Sequence, residues 1–429
     1  MPDLVHLAFG RNGIEAELPP GFDYLVLEAK SAGASTNALA DLEAALDAPI
    51  GTAPLESLAA GKSSAAISIC DITRPAPNRV VLPPVLRRLE GAGVPRSRIV
   101  ILIATGLHRP ATEREIREIV GEEIAAAYRV ENHDARTLSS HRFLGTTSSG
   151  TPAYIDERFV SADLRITLGF IEPHLMAGFS GGRKLVAPGL AAQETIKVLH
   201  SPQFMREPLA IEGSIESNPL HRELVEIARL AGHSFMVDVA LARDRSIAGV
   251  FAGDLEEAHR RGVRFVSHAL LQELDEAVDA VITTSAGYPL DLTYYQTIKG
   301  ITAASHIVRD GGRILLIGAC EEGTGGPEFS RMLGEYSSPD QFLASIDNAP
   351  VTVDQWQIEK LALVARRARI SYCVPGLSED VRRTLWGPAF TDLGEAIRDL
   401  TAGLAEGARI AVIPEGPYVL AKVAAARAA

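Results

Sequence analysis

Four polar clusters in this 429-residue chain carry side chains able to bind anions, move protons or act as nucleophiles. The first is Asp71-Ile72-Thr73-Arg74-Pro75-Ala76-Pro77. Its prolines hold the segment extended and fix Arg74, whose planar fork can take a carboxylate bidentately. An Asp/Thr cap beside a surface arginine explains the same residues. The second is Thr105-Gly106-Leu107-His108-Arg109-Pro110, where His108 can exchange a proton near neutral pH. The third runs from Pro173-His174 to Ser180-Gly181-Gly182-Arg183-Lys184, with glycine amides free to gather around an anionic group. It is not a P-loop, because Arg183 separates Gly182 from Lys184 and Leu185 follows; nor does a Gly-x-Gly-x-x-Gly turn follow an early strand. His200 closes a helix that begins near Gln193, a position where a histidine gains from the helix dipole with no further role. The fourth cluster, Gly287 to Gly300, sets Tyr295, Gln296 and Lys299 within about one helical turn, as ligand contacts or as a solvated face.

The elements needed to position these clusters are legible as alternating apolar runs and amphipathic stretches. Ala65–Cys70, Arg98–Ala104 and Leu164–Phe170 read as buried parallel strands, with helices near Val80–Gly91 and Thr112–Tyr128. A charge-rich helical connector spans Leu255–Glu276. The pattern then restarts with strand Ala277–Thr284, a helix near Tyr294–Val308 stopped by Gly311-Gly312, and strands Arg313–Gly318, Ile370–Cys373 and Ile410–Ile413. The fold expected is α/β: two domains with mostly parallel sheets flanked by helices, and an active site in the cleft between them. The boundaries expected are 1–274 and 275–403, with a final strand and a helix over Pro417–Ala429 packing on the N-terminal domain. In such sheets, sites lie beyond the carboxyl ends of the strands, and all four clusters stand there.

Composition narrows the class. Hydrophobic residues make up 46% and charged residues 22%, the balance of a globular protein. A formal charge of −12 opposes general nucleic-acid binding, and no apolar run reaches membrane-spanning length. Three cysteines (Cys70, Cys320 and Cys373) offer no disulfide framework or zinc-finger spacing, so a reducing cytoplasm is the expected setting.

Six segments, in order, add a resemblance: Asp71-x-Thr-Arg74-Pro75-x-Pro77; Thr105-Gly-x-His108-Arg109-Pro110; Pro173-His174 leading to Ser180-Gly-Gly-Arg-Lys184; His200; Tyr295-Gln296-x-x-Lys299; and Asp354-Gln355-Trp356. Together they resemble the nickel-pincer lactate racemase family. The resemblance implies that Lys184 tethers a pyridinium-3-thioamide-5-thiocarboxylic acid mononucleotide as a thioamide. That group binds nickel(II) through two sulfurs and a ring carbon, and His200 is the fourth ligand, a soft square-planar set that suits nickel. Asp71 is expected to orient the cofactor, and Gly181 and Gly182 to approach its phosphate. His108 and His174 are expected as the two catalytic bases, one for each hand of substrate. Arg74 and Lys299 would anchor the substrate carboxylate, with Tyr295, Gln296 and Trp356 shaping the pocket. Inversion at C2 of a small 2-hydroxy acid then proceeds by reversible hydride removal through a 2-oxo acid. The implied partners are that substrate and, transiently, proteins of cofactor biosynthesis and nickel insertion. The alternatives are a C2 epimerase of a sugar acid, a racemase of a dicarboxylic hydroxy acid, and a non-catalytic cofactor-binding protein.

Overall fold

A computed structural model describes residues 3–424, in two compact units. The first comprises Ser31–His200 and Glu207–Ala269; the second comprises Met1–Lys30, Ser201–Arg206 and Leu270–Ala429. Among the described residues no helix is long and apolar enough to cross a membrane.

The six-stranded sheet of the first unit runs Ile247–Gly253, Phe235–Leu241, Leu164–Phe170, Ala65–Cys70, Ile99–Ala104, Arg129–Asn132. Neighbours are parallel except for Phe235–Leu241 against Ile247–Gly253. Inner strands of a parallel sheet are covered on both faces, which is why they read as continuous apolar runs. Every residue of Ala65–Cys70 is buried, and Ile67, Ile69, Ile101, Ile103 and Ile166 have no exposed surface. Each such side chain contributes about 1.5–3 kcal/mol of burial. Strand order reverses between Ala65–Cys70 and Leu164–Phe170. Chain segments leaving these two strands diverge to opposite sides, opening the crevice in which open α/β sheets bind ligands. The Asp71 and His174–Lys184 clusters begin at those two strand ends.

In the second unit the order is Ala389–Phe390, Arg369–Cys373, Val308–Ile317, Val278–Thr284, Arg409–Ile413, Asp23–Val26, all parallel. Alternate residues feed separate cores on its two faces: Val281, Ile314 and Leu316 on one, Ile282, Leu315 and Ile317 on the other. Helix Tyr294–Ser305 follows strand Val278–Thr284 and packs so closely that a Cβ on Gly300 would lie 2.2 Å from the Thr284 carbonyl oxygen. Only glycine permits that approach.

Several local expectations differ from what folds. The helix expected over Thr112–Tyr128 is two helices, Glu113–Val120 and Glu122–Ala127, because Gly121 takes φ 88° and breaks the hydrogen-bond ladder. Gly311 and Gly312 do not stop a helix. That helix ends at Ser305, and the glycines lie inside strand Val308–Ile317, where the pairing register shifts. The connector is helix Glu257–Leu270 followed by strand Leu271–Leu274. The segment expected as a final helix is strand Leu420–Val423, paired in parallel with Leu271–Leu274 in the second unit; residues 425–429 lie outside the described residues. The first 30 residues also cluster with the second unit, because Asp23–Val26 pairs with Arg409–Val412.

Candidate active site

Strands Ala65–Cys70 and Ile99–Ala104 are paired in register up to Cys70 and Ala104, so the residues that follow them emerge side by side. Asp71 and His108 meet there: the Asp71 Oδ2 to His108 Nδ1 distance is 2.7 Å. Asp71 Oδ1 accepts from Thr73 Oγ1 at 2.6 Å and from the Thr73 amide at 3.2 Å. Burial would raise the Asp71 carboxyl, but the hydrogen bonds from His108 and Thr73 and the charges of His108 and Arg74 together hold it below its ordinary range. An ionised carboxylate at Nδ1 makes that nitrogen the N–H of the neutral ring. His108, half exposed, therefore presents the Nε2 lone pair outward. This pairing gives Asp71 a partner in His108 beside the cofactor role that the resemblance implies for it.

The third cluster is laid across the sheet by side chains that bond to backbone. Ser68 Oγ donates to Leu185 O at 2.8 Å, and Ser180 Oγ donates to Phe170 O at 2.7 Å while accepting from the Glu172 amide at 2.9 Å. A small hairpin pairs Pro173–His174 with Gly178–Phe179. Within it, the amides of Met176 and Ala177 donate to His174 Nδ1 at 3.3 and 3.2 Å. Two donors at Nδ1 place the proton of the neutral His174 ring on Nε2, the opposite tautomer to His108.

Lys184 sits in the short helix Gly182–Leu185, partly buried. Burial first, then the charges of Arg74 and Arg183, pull its amine well below the ordinary lysine range, against Glu172 and Cys70. A neutral amine is the nucleophilic form. His200 caps helix Gln193–Leu199, and its Nδ1 donates to the Ile196 carbonyl at 2.8 Å. That bond fixes Nε2 as the lone-pair nitrogen, the arrangement of a metal-ligating histidine held by its other nitrogen. Burial, aided by the Lys184 charge and opposed by the Ile196 carbonyl, brings His200 down to about 4, so it is neutral at pH 7. Among the described residues no three His, Cys, Asp or Glu side chains converge as a metal site. A metal on His200 would draw its other ligands from a bound group.

Beneath the Lys184 loop lie groups the sequence did not mark. Arg183 is fully buried, and burial pulls it to about 9 against the charge of Asp238. A Cβ on Gly181 would lie 2.2 Å from Asp238 Oδ2, and one on Gly182 2.8 Å from Met236 Sδ. Packing over Asp238 and Met236 thus accounts for both glycines whether or not an anion meets their amides. Burial raises the Asp238 carboxyl to about 7, against Arg183 and the amides of Gly182 and Gly169. A carboxyl raised above its unfolded value of about 4 adds stability that is complete at low pH and lost as pH rises toward 7. Asp238→Asn is therefore expected to stabilise the protein by about 2–4 kcal/mol at pH 8 and far less at pH 4. Urea unfolding at both pH values checks this, and equal changes at the two would contradict it.

In the second unit the fourth cluster opens helix Tyr294–Ser305. Gln357 Nε2 donates to the Tyr295 carbonyl at 2.9 Å, tying that helix start to helix Gln355–Ala365, which carries the 8%-exposed Trp356. The Tyr295 ring meets Phe329 edge-on, centroids 5.1 Å apart. Gln296 Oε1 is buried with no hydrogen-bond partner among the described residues. An orphaned buried amide is costly unless a ligand satisfies it. Lys299 follows Gln296 by three residues on the same helix.

Comparison with known proteins sets this geometry beside two family models. Residues 9–213 match the lactate racemase N-terminal domain, and residues 274–421 match the lactate racemase C-terminal domain. A lactate racemase of Lactiplantibacillus plantarum is 37% identical over 385 residues, covering 89% of this chain and 90% of its own length. One from Thermoanaerobacterium thermosaccharolyticum is 33% identical over 423 residues, covering 97% and 99%. The solved structure of a lactate racemase apoprotein from the latter organism superposes with a TM-score of 0.91 at 32% identity, over 98% of this chain and all of that one. A Thermotoga maritima protein shares the fold at a TM-score of 0.63 and 17% identity.

Proposed function

The chain belongs to the lactate racemase family and is an isomerase of the racemase kind, and from that premise we propose that it inverts C2 of a 2-hydroxy acid, lactate first, with a nickel-pincer pyridinium held by Lys184 and His200. The observation that carries the cofactor reading is the state of those two side chains. Lys184 has an amine shifted toward its neutral form, and His200 is neutral with Nδ1 committed to Ile196 and a lone pair on Nε2. When bound, the group supplies a soft metal centre and a hydride acceptor.

The remaining work falls to the chain itself. The α C–H of a hydroxy acid is a poor acid beside an ionised carboxylate, so loss of hydride with loss of the hydroxyl proton is the easier route. The His108 Nε2 lone pair, oriented by Asp71, takes that hydroxyl proton. His174 meets the same oxygen on the opposite hand of substrate, where taking its proton requires the ring first to move its own proton from Nε2 to Nδ1. Arg74 takes the carboxylate in a bidentate pair. Lys299 adds a second cation for that carboxylate, the Gln296 amide gains a partner in the substrate's polar end, and Tyr295 and Trp356 bound its carbon side.

A chiral assay of cofactor-loaded protein over lactate, malate, 2-hydroxyglutarate, phenyllactate and gluconate, with nickel content measured on the same sample, tests the reading. Lactate is expected to racemise without added nicotinamide, with about one nickel per chain. Inversion of only the longer acids would move the substrate to the sugar-acid or dicarboxylic class, and inversion by nickel-free protein would remove the cofactor assignment.

A further inference from the structure

Arg183 is an expensive residue to keep. It has no exposed surface, and among the described residues it forms no contact ion pair, the Asp238 charge acting on it only from a distance. A buried cation without a contact ion pair is costly, and a leucine or methionine of similar size would avoid that cost. Its guanidinium is spent on backbone. Nη2 donates to the carbonyls of Ala177 and Phe179 at 2.9 and 2.7 Å, and Nη1 to those of Ser180 and Gly181 at 3.0 and 3.2 Å. His259, itself buried, lies 2.6 Å from Nη1 through Nε2, while Nε has no hydrogen-bond partner among the described residues.

The clamped turn is the one that holds His174. Ala177 has its carbonyl on Arg183, while its amide donates to His174 Nδ1. The peptide between Met176 and Ala177 is fixed from its other side as well, because the Met176 carbonyl accepts from Asn218 Nδ2 at 2.8 Å. The turn has no slack: a Cβ on Gly178 would lie 1.7 Å from the Ser214 carbonyl oxygen. A planar fork with five donors can hold several carbonyls of one turn at once, which an ammonium cannot do in one plane.

We propose that Arg183 is a positioning residue: by clamping the carbonyls of Ala177, Phe179, Ser180 and Gly181 it holds the Met176 and Ala177 amides against His174 Nδ1, and so keeps His174 as an Nε2–H donor, the opposite tautomer to His108. This role rests on the reading of His174 as the group that meets the substrate oxygen. It makes the two histidines unequal at rest: one hand of substrate meets a proton acceptor and the other a proton donor.

The test uses full-length apoprotein, so it stands apart from cofactor and substrate. Diethyl pyrocarbonate acylates the lone-pair nitrogen of a neutral imidazole, and peptide mass mapping reads each histidine separately. In the wild type His108 is expected to label and His174 to be spared. Arg183→Ala should raise His174 labelling by about tenfold, the size of one lost neutral hydrogen bond of about 1.4 kcal/mol, with His108 labelling unchanged. Millimolar guanidinium, filling the vacated space, should restore protection where equal ionic strength of sodium chloride does not. If Arg183→Ala fails to fold, Arg183→Lys takes its place, with His174 labelling expected between wild type and the alanine prediction. Labelling of His174 as fast as His108 in the wild type, or unchanged protection in a folded Arg183 variant, overturns the proposal. Loss of racemisation in His174→Ala bears on the catalytic reading alone, and protection of His174 in apoprotein on this one alone.

Discussion

Lys184→Ala yields a folded protein that never gains the mass of a covalent group and loses racemisation by more than about 10⁴-fold, since nearly all of an enzyme's rate enhancement passes through its cofactor when it has one. Lys184→Arg fails in the same way, because a guanidinium stays charged and cannot act as the tethering nucleophile. Loss of fold is not the expected cause. Burial beside Arg74 and Arg183 opposes the charged amine, so removing it relieves a cost that the native protein carries. Intact mass after co-expression with a cofactor pathway, beside a thermal melt, separates the two. A Lys184→Ala protein carrying the full adduct, or one retaining a tenth of wild-type racemisation, would end the tether assignment.

Next in size is the pair at the other strand end. His108→Ala is expected to lower kcat by about 10²–10⁴-fold, the ordinary worth of a positioned general base. Asp71→Asn is expected to cost about 10–10²-fold in kcat with KM unchanged, because it leaves the ring in place but removes the charge that selects its tautomer. Asp71 also sets the sign of the pH response. Its carboxyl is held below the ordinary range, so the stability and orientation it gives are complete above that range and fade only as pH falls through the lowered folded value. Over pH 4 to 8 Asp71 therefore stays ionised, and an acid-side loss of activity in the wild type reports another group. Steady-state rates of the two variants from pH 4 to 8 decide this. Equal losses in kcat and KM for Asp71→Asn would point to a binding role instead.

Much of the framework was legible because parallel strands announce themselves. Ala65–Cys70 and Leu164–Phe170 are uninterrupted apolar runs, and the switch point between them follows once the crossovers are counted. The polar residues following such runs are candidates by position alone, and Asp71, Arg74, His108, His174 and Lys184 all stand there. The Asp71–His108 bond was within reach too, since residues at the ends of two adjacent in-register strands must emerge as neighbours. What could not be read were roles set by distant partners. Nothing near Arg183 in the chain foretells the turn that its side chain holds together with His259, and nothing near Gly181 foretells Asp238 beneath it. Gly311 and Gly312 misled because glycine serves helix ends and strand irregularities equally, and only the register of the neighbouring strand tells them apart.

One edge strand has a bearing on how the chain comes to be folded at all. Among the described residues Asp23–Val26 has a single partner strand, Arg409–Ile413, which leaves the ribosome nearly 400 residues later. At ordinary rates of synthesis that is a wait of about 20–80 s. In that interval all of the first unit, ending at Ala269, has been made and has its complete six-stranded sheet available. The early segment meanwhile offers unpaired backbone to any other open strand edge. Vectorial synthesis thus imposes an order in which the middle of the chain matures first and its two ends join last. A nascent-chain chaperone that shields the first 30 residues would protect the step on which closure of the second sheet depends.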